Sequence, residues 1–293
     1  MKIGIKDYYS LLGKNMKSIE EITEYMDEEY QNKIKNAGLA KVPIDNECLL
    51  SDMIKEVYKK CEFEVELIIV AHSIPFINKN LNHISKELDC IETITLSGMP
   101  CAIVHEAIDL ARKYIEAGEY RCILVIGADK AYGNKERVFF NTIMGDSVIG
   151  LVIDNHCSNN TIISSHIQST IIAPEGELSG EDKIQKYRMV STSLIRQCIE
   201  KCLEKANIDL KSINHIVPHT PNKLLWDTVA KFMHLDRDVF RDDYIHETGH
   251  LNSNDSFYHY LRLKDENSIK EGEYALLINP GFGGTQGCTL IKA

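Results

Sequence analysis

Residues 115–130 read IEAGEYRCILVIGADK, and residues 269–284 read IKEGEYALLINPGFGG. Both stretches place Gly-Glu-Tyr before an apolar run and a glycine-containing turn after it. A second pair precedes them in the same order, because ELIIVAHSIP at 66–75 matches INHIVPHTPN at 213–222. Each member of this pair is an apolar run that ends in histidine, with proline shortly after. Two matches in the same order predict two similar halves, each with a strand, intervening helices and another strand.

Short apolar runs alternate with longer amphipathic segments along the chain. Runs rich in β-branched residues predict strands covered on both faces, at 66–71, 121–127, 147–153, 213–218 and 274–279. Apolar residues spaced by three and four predict helices at 50–60, 103–117, 194–206 and 223–233. This alternation predicts an α/β fold. The polar stretch APEGELSGED at 173–182 is expected to be a connecting loop.

Composition and charge exclude several classes of protein. The chain has 293 residues, with 33 Lys and Arg against 43 Asp and Glu, so its formal charge is −10. A hydrophobic content of 44% excludes a disordered chain. The acidic balance argues against binding to nucleic acid or to an anionic membrane. Nine cysteines, an odd number, and the lack of a signal peptide or of a run of about 18 apolar residues favour the reducing cytoplasm.

Cys101 is the candidate nucleophile. It follows Ser97-Gly98-Met99-Pro100, whose glycine and proline are helix breakers, and a long helical pattern begins immediately afterwards. The sequence therefore predicts Cys101 in the first turn of a helix. Free N–H groups and the positive end of the helix dipole favour the thiolate, which is the nucleophilic form. The alternative for any single cysteine is a small buried core residue.

Candidate partners for this cysteine lie in the second half. His219 follows a predicted strand, at the carboxyl end where open α/β sheets place functional groups. His250 and Asp255 lie in a polar, turn-rich stretch that corresponds, in the repeat, to the loop of Cys101. We expect this correspondence to bring Cys101 and His250 together across a pseudo-two-fold axis. Glycines within 281–284 let a backbone N–H approach a ligand closely, as an oxyanion hole requires.

One pattern suggests a metal site. His246-Glu247-Thr248-Gly249-His250 fits the His-Glu-x-x-His zinc motif, which needs a helix so that both histidines face one way. Gly249 interrupts the motif, and polar turn residues follow it. We therefore predict no metal.

The ordered set of motifs resembles the thiolase superfamily, specifically β-ketoacyl-acyl carrier protein synthase III and its relatives. The matching pieces are AGLAK at 37–41, the Cys101 helix start, GAD at 127–129, MGDS at 144–147, VPHTPN at 217–222, Gly249-His250 and FGGT at 282–285. The resemblance implies a five-layer αβαβα sandwich built from two pseudo-repeated halves. We place these halves at 1–165, with the nucleophilic cysteine, and at 166–293, with the histidines and the glycine turn.

The resemblance also implies roles for individual residues. Cys101 carries an acyl group as a thioester, and His219 matches the histidine of the family's His-Gln-Ala-Asn motif. The backbone N–H groups of Cys101 and Gly284 match the oxyanion hole. The donor is acyl-coenzyme A or acyl carrier protein, so a coenzyme A or phosphopantetheine thioester is a co-substrate and no cofactor is tightly bound. Lys41 replaces the arginine that helps to hold coenzyme A phosphates, and Asn222 ends the histidine motif; both are assigned to donor binding.

His250 is the most consequential departure from the family pattern, because condensing members have asparagine there. It favours the branch that moves an acyl group to an oxygen, nitrogen or sulfur acceptor, with His219 as base and His250 or Asp255 assisting. One alternative is decarboxylative carbon–carbon condensation. Another is a non-catalytic subunit of a thiolase-like heterodimer. We expect a homodimer, with a heterodimer as the alternative, and neither nucleic acid nor membrane as a partner.

Overall fold

The computed structural model describes residues 2–73, 84–88 and 91–293. Ile74 and Pro75, at the end of the first repeat member, lie outside the described residues. The strands are β1 Gly4–Leu12, β2 Asn15–Ser18, β3 Lys41–Ile44, β4 Leu67–Ala71, β5 Thr93–Leu96, β6 Cys122–Asp129, β7 Val138–Phe139, β8 Thr142–Ile143, β9 Ser147–Asp154, β10 Thr161–Ser169, β11 His215–Pro218, β12 Tyr274–Gly281 and β13 Thr285–Lys292. The helices are α1 Ile19–Ile22, α2 Glu28–Asn36, α3 Leu50–Lys59, α4 Ile84–Glu87, α5 Ile103–Ala117, α6 Asn134–Arg137, α7 Glu181–Ala206, α8 Lys223–Met233, α9 Ile245–Thr248 and α10 Asp255–Asp265.

Nine strands form one mixed sheet in the order β11-β12-β13-β10-β1-β9-β6-β4-β5. In the first half, β4 lies parallel to β5 and β6, and β9 lies antiparallel to β6 and β1. The second half repeats this pattern, since β11 is parallel to β12, and β13 is antiparallel to β12 and β10. A parallel bridge from Ile216 to Phe240 stands where β5 stands in the first half. The predicted duplication is confirmed in strand order and direction.

The two halves share a central helical layer. Inward residues of α5 and α10 form one apolar core with the inner faces of both half-sheets. A second core joins α3 to the outer face of the first half-sheet. A third joins α7 and α8 to the outer face of the second. The result is the predicted five-layer αβαβα sandwich, and none of the described helices combines the length and apolarity needed to cross a membrane.

A small cap covers one side of the sandwich. It consists of α1, α2, the antiparallel pair of β2 and β3, and α9. Residues of α1, α2, β3 and α9 share an apolar cluster that includes Ile22, Ile34, Val42 and Ile245. The N–H of Lys223, the first residue of α8, donates to a carbonyl of this cap. The cap therefore lies against the start of α8, the helix that follows β11 and His219.

Sequence-derived element bounds agree with the structure for long amphipathic segments and differ at connections. The helices at 103–117 and 223–233 have the predicted bounds. Helix α7 begins at Glu181, well before the predicted residue 194, so the loop expected at 173–182 ends earlier. The predicted division at residue 165 falls within β10. Because β10 pairs along its length with β13, we place the boundary between the halves before Thr161.

A buried ionic cluster joins the cap to the sheet just before β9. Asp146 is fully buried and accepts hydrogen bonds from the guanidinium of Arg137 at 2.5 and 2.8 Å. It also accepts from Lys130 Nζ at 3.3 Å and from the N–H of Asp45 at 2.8 Å. Both cations are fully buried as well.

Substitution of Asp146 by alanine is expected to reduce the free energy of unfolding by about 3–5 kcal/mol, because two buried cations lose their shared carboxylate. Urea unfolding followed by circular dichroism measures this loss. Asp154→Ala is a suitable control, because that carboxylate is also largely buried but pairs with a single, partly exposed cation, Lys6. A loss no larger than that of the control would contradict the assignment.

Candidate active site

Cys101 lies in the turn between β5 and α5. Its side chain is half-buried, and the turn is closed by a hydrogen bond from the N–H of Ile103 to the carbonyl of Pro100, 3.0 Å away. Gly98 has φ +88°, a conformation that side chains rarely adopt, so glycine is needed to enter this turn. The helix begins at Ile103 rather than at Cys101. The nucleophile therefore precedes the first helical turn that the sequence predicted it to occupy.

His250 and Asp255 come to Cys101 from the opposite half. Nε2 of His250 lies 3.6 Å from Sγ of Cys101, and its Nδ1 donates to Oδ2 of Asp255 at 2.5 Å. The carboxylate is held by two backbone donors, the N–H of Leu251 at 2.7 Å and that of Thr220 at 2.8 Å. The arrangement is a Cys–His–Asp triad. The predicted approach of Cys101 and His250 is thus present in the structure.

Glycine is required next to the triad histidine. Gly249 has φ +58° and ψ −138°, and a Cβ there would lie 2.1 Å from Cγ1 of Val42 in the cap. This close approach lets the N–H of His250 donate to the carbonyl of Ile143 at 2.9 Å. The cap and the β8 strand therefore fix the backbone from which the imidazole projects.

His250 and Asp255 form an ion pair within the triad. Burial alone would lower the pKa of His250, but the Asp255 carboxylate and Cys101 raise it to about 10. Burial raises the pKa of Asp255, yet the neighbouring His250 outweighs this and leaves that pKa below its usual value. His250 is therefore an imidazolium and Asp255 a carboxylate at neutral pH. Both are almost completely buried, so water screens the pair weakly.

His219 lies beside the triad without joining the chain of contacts. Its ring centroid is 5.4 Å from that of His250, at 82°. Burial, and then the positive charge of His250, lowers the pKa of His219 to about 3, so this imidazole is neutral. Its carbonyl accepts a hydrogen bond from Nε1 of Trp226 at 2.7 Å, which anchors the end of β11. The role of His219 as base stays a prediction, and His250 is the histidine that contacts both Sγ of Cys101 and the carboxylate of Asp255.

The same side chains have the composition of a metal site. Ligand atoms of Cys101, His219 and His250 all lie within 4.8 Å of one another. This cluster differs from the His-Glu-x-x-His motif at 246–250, which shares only His250 with it. Helix α9 ends at Thr248, so His246 and His250 do not share a helix face. The absence of a metal stays a prediction.

A cavity of about 210 Å³ opens onto Cys101. It is lined by three of the predicted site residues besides Cys101, namely His219, Asn222 and His250. Its other walls include Phe282, from the predicted glycine turn, and four side chains that the sequence did not indicate, Phe139, Phe140, Tyr187 and Arg188. These four come from the β7–β8 hairpin and α7. Their separation along the chain explains why no local motif indicates them.

Two predicted residues do not reach the cavity as expected. Lys41 is exposed at the start of β3 and does not line the cavity. The N–H of Gly284 donates within the glycine turn, to the carbonyl of Gly281 at 3.3 Å. A Cβ on Gly284 would lie 1.9 Å from the carbonyl oxygen of Thr170, so this glycine packs against the chain after β10.

Buried neutral histidines predict a loss of stability in acid. Burial lowers the pKa values of His105 and His219 to about 3 from the ordinary 6.5. Between pH 6.5 and 3 the unfolded chain therefore binds more protons than the folded chain. The free energy of unfolding is greatest above pH 6.5 and falls progressively as pH drops toward 3. The lowered pKa of Asp255 acts in the same direction. Thermal unfolding at pH 7, 5 and 4 should show a falling midpoint, and a constant midpoint would contradict this.

Comparison with protein families identifies the relatives of this chain. The model of 3-oxoacyl-[acyl-carrier-protein] synthase III matches residues 98–170, and that of its C-terminal part matches residues 203–293. Together these segments make up more than half of the chain. The chain belongs to the 3-oxoacyl-[acyl-carrier-protein] synthase III family. The first matched segment includes Cys101, and the second includes His219, His250 and Asp255.

Individual relatives of this synthase III family are distant in sequence and close in fold. The β-ketoacyl-[acyl-carrier-protein] synthase III of Clostridioides difficile is 26% identical over 218 residues, which cover 63% of this chain and 62% of that protein. The 3-oxoacyl-[acyl-carrier-protein] synthase III of Aquifex aeolicus has a TM-score of 0.82 at 18% identity, covering 99% of this chain and 100% of its own. The acyltransferase ChlB3 has a TM-score of 0.82 at 16% identity, covering 100% and 98%. These structural matches show a shared fold.

Proposed function

We propose that this chain is an acyltransferase that forms an acyl thioester on Cys101 and passes the acyl group to an acceptor nucleophile. The observation that carries the proposal is the Cys101–His250–Asp255 triad, in which His250 and Asp255 are buried and the separations are 3.6 and 2.5 Å. Such a triad pairs a nucleophile with a base that a carboxylate orients. The cavity beside it gives the acyl group access to Sγ.

In the first half-reaction, the Cys101 thiolate attacks the carbonyl carbon of an acyl-coenzyme A or acyl carrier protein thioester. A new carbon–sulfur bond to Cys101 forms as the bond to the donor sulfur breaks. The departing thiolate takes the proton from Nε2 of the His250 imidazolium, so the donor leaves as a neutral thiol. The products are an acyl-enzyme and a neutral His250.

In the second half-reaction, neutral His250 removes a proton from the hydroxyl, amine or thiol of the acceptor. The acceptor then attacks the acyl carbon, and Cys101 departs as a thiolate beside the restored imidazolium. The negative charge on Cys101 contributes to the raised pKa of His250. In the acyl-enzyme the Cys101 sulfur carries no charge, so this contribution is lost and His250 can act as a neutral base. Asp255 keeps Nδ1 protonated and Nε2 directed at the reacting atoms throughout.

An oxyanion forms on the acyl carbonyl in both half-reactions. We assign its stabilisation to the N–H groups of Cys101 and Phe282. Neither group donates to another acceptor within the described ranges, and both residues line the cavity. Gly281, next to Phe282, lies so close to Cys101 that a Cβ there would be 3.5 Å from the Cys101 nitrogen. This assignment replaces Gly284, whose N–H bonds within its own turn.

The donor is expected to enter past the start of α8. Oδ1 of Asn222 caps this helix by accepting from the N–H of Leu225 at 2.9 Å, which leaves the amide Nδ2 to bind the donor's polar arm. Arg188 lines the cavity and supplies a positive charge for a donor phosphate. Lys41 is exposed and does not line the cavity, so its positive charge acts on the donor only from a distance. Arg188 thus offsets part of the acidic net charge where the donor binds.

Carbon–carbon condensation of the synthase III type is the second candidate, because the relatives carry that name. His250 argues against it. Decarboxylative condensation in the resembled family uses a histidine together with an asparagine, whereas here His250 stands in the place of that asparagine and is charged and hydrogen-bonded to Asp255. A non-catalytic role within a heterodimer is the third candidate, and the intact triad weighs against it.

Intact-protein mass spectrometry after incubation with acyl-coenzyme A or acyl carrier protein donors tests the proposal. We expect a single acyl adduct that transfers to an added oxygen, nitrogen or sulfur nucleophile. Incubation of the acyl-enzyme with malonyl thioester and measurement of carbon dioxide separates the candidates. Release of carbon dioxide would favour condensation, and the absence of any adduct with every donor would overturn the enzyme proposal.

We propose a homodimer as the assembly. Strand β5 lies at the edge of the nine-stranded sheet and pairs only with β4 among the described strands, so its other edge is open to a second chain. Native mass spectrometry should give about twice the chain mass of 33.3 kDa. A monomer mass at micromolar concentration, or pairing only with a different chain, would contradict it.

A further inference from the structure

The loops that carry the nucleophile and the base meet at a third side chain. Asn279 lies near the end of β12 and is completely buried. Its Nδ2 donates to the carbonyl of Cys101 at 3.0 Å and to the carbonyl of Ser253 at 3.0 Å. One amide group therefore uses both of its hydrogens to join two loops from opposite halves of the chain.

These two carbonyls occupy matching places in the repeat. Cys101 lies two residues before α5, and Ser253 lies two residues before α10. The two helices form the shared central layer, so the Asn279 amide lies between equivalent helix starts. The loop of Ser253 leads directly into Asp255. Asn279 therefore connects the loop of the nucleophile to the loop that holds the carboxylate of the triad.

Other contacts hold the second loop to the first half-sheet. Asp129 accepts from both the N–H and the hydroxyl of Ser253. The amide of Asn254 donates to the carbonyls of Gly127 and Ser147 at 3.2 Å. A Cβ on Gly127 would lie 2.0 Å from Oδ1 of Asn254, so glycine makes room for this side chain. These contacts fix the Asp255 side of the triad but do not reach Cys101.

We propose that Asn279 is a positioning residue that sets the separation of Cys101 Sγ from His250 Nε2 by holding both loop carbonyls. The inference rests on the proposed function, since it concerns the same triad. Asn279 touches neither reacting atom. By fixing the Cys101 carbonyl it also fixes the orientation of the nucleophile loop relative to the adjoining glycine turn, which is continuous with β12.

Only a donor suits the position of Nδ2, because both of its partners are carbonyl oxygens. In Asn279→Asp a carboxylate oxygen replaces the donor at nearly constant volume, and it repels both carbonyls. In Asn279→Ala the side chain is removed without repulsion. Asn279→Ser keeps a shorter donor that reaches at most one loop. The expected order of effects is therefore Asp largest, Ala next and Ser smallest.

The test measures alkylation of Cys101 by iodoacetamide at pH 7, located by peptide mass spectrometry, without any acyl donor. We expect a rate at least about ten-fold lower in Asn279→Ala and lower still in Asn279→Asp. A proton NMR titration should show the pKa of His250 falling from about 10, since the contribution of Cys101 weakens with distance. A purely structural role would not move that titration.

Ser165→Ala is the matched control. Its buried hydroxyl bonds to the carbonyl of Cys288 at 3.2 Å and to the hydroxyl of Thr289 at 2.9 Å, in the same half-sheet but away from both loops. We expect it to lower the unfolding midpoint without changing the alkylation of Cys101.

Unchanged alkylation and an unchanged His250 titration in folded Asn279→Ala would overturn the proposal. So would failure of all three variants to fold, because the residue would then serve the fold as a whole. An unmodified enzyme that alkylates normally but accepts no acyl donor would count against the proposed function alone.

Discussion

Asp255→Asn is expected to slow acyl transfer by about 10³–10⁴-fold, the scale on which an oriented histidine loses its carboxylate partner. The neutral amide cannot stabilise the imidazolium, and it can also present its NH₂ group to Nδ1 and reverse the tautomer. The pKa of His250 should fall from about 10 toward its usual value. Single-turnover transfer from a preformed acyl-enzyme, together with an NMR titration of His250, measures both effects.

Asp45→Asn is the control for this substitution. Asp45 is also a buried carboxylate that accepts backbone N–H groups, those of Glu47 and Cys48, but it lies in the cap away from the triad. Both variants lose the charge of a buried carboxylate, so a difference between their transfer rates measures the effect of losing the Asp255 carboxylate from the triad. Transfer within ten-fold of the unmodified enzyme in folded Asp255→Asn would show that the carboxylate has no catalytic role.

The fold could be predicted from the sequence because its signals are repeated. Gly-Glu-Tyr precedes both β6 and β12, and histidine follows both β4 and β11. In the nine-stranded sheet, the apolar-run rule missed four strands, β1, β5, β10 and β13. Each carries polar residues inside the sheet, such as buried Ser164 and Ser165 in β10, so none forms a continuous apolar run. Their places depend on sheet pairing between distant segments.

The candidate site could be predicted in part. The repeat placed His250 opposite Cys101, and this pairing depends only on the correspondence of two loops. The sequence favoured His219 over His250 as base, but this choice depends on which imidazole receives Asp255, and no local pattern shows that contact. That contact arises where α10 begins, directly after a short turn. The Asn279 contact to Cys101 joins residues 178 positions apart, and no local pattern indicates it.

Cys101→Ala is expected to eliminate the acyl adduct and to lower transfer by a factor on the order of 10⁶, as when an enzyme of this kind loses its nucleophile. Without Sγ no covalent intermediate forms, and direct attack by the acceptor must proceed without the split into two easier steps. Intact-protein mass spectrometry measures the adduct, and product formation measures the transfer.

Cys48→Ala and Cys61→Ala separate specific loading from incidental thiol acylation. Both of these cysteines are partly exposed, like Cys101, so they would also react if simple accessibility decided the outcome. Burial raises the pKa of each of these two thiols, and among the residues that the structure describes neither has a hydrogen bond to a histidine like that between His250 and Cys101. The adduct should survive both substitutions. An adduct that persists in Cys101→Ala and disappears in one of the other variants would place acyl loading outside the triad.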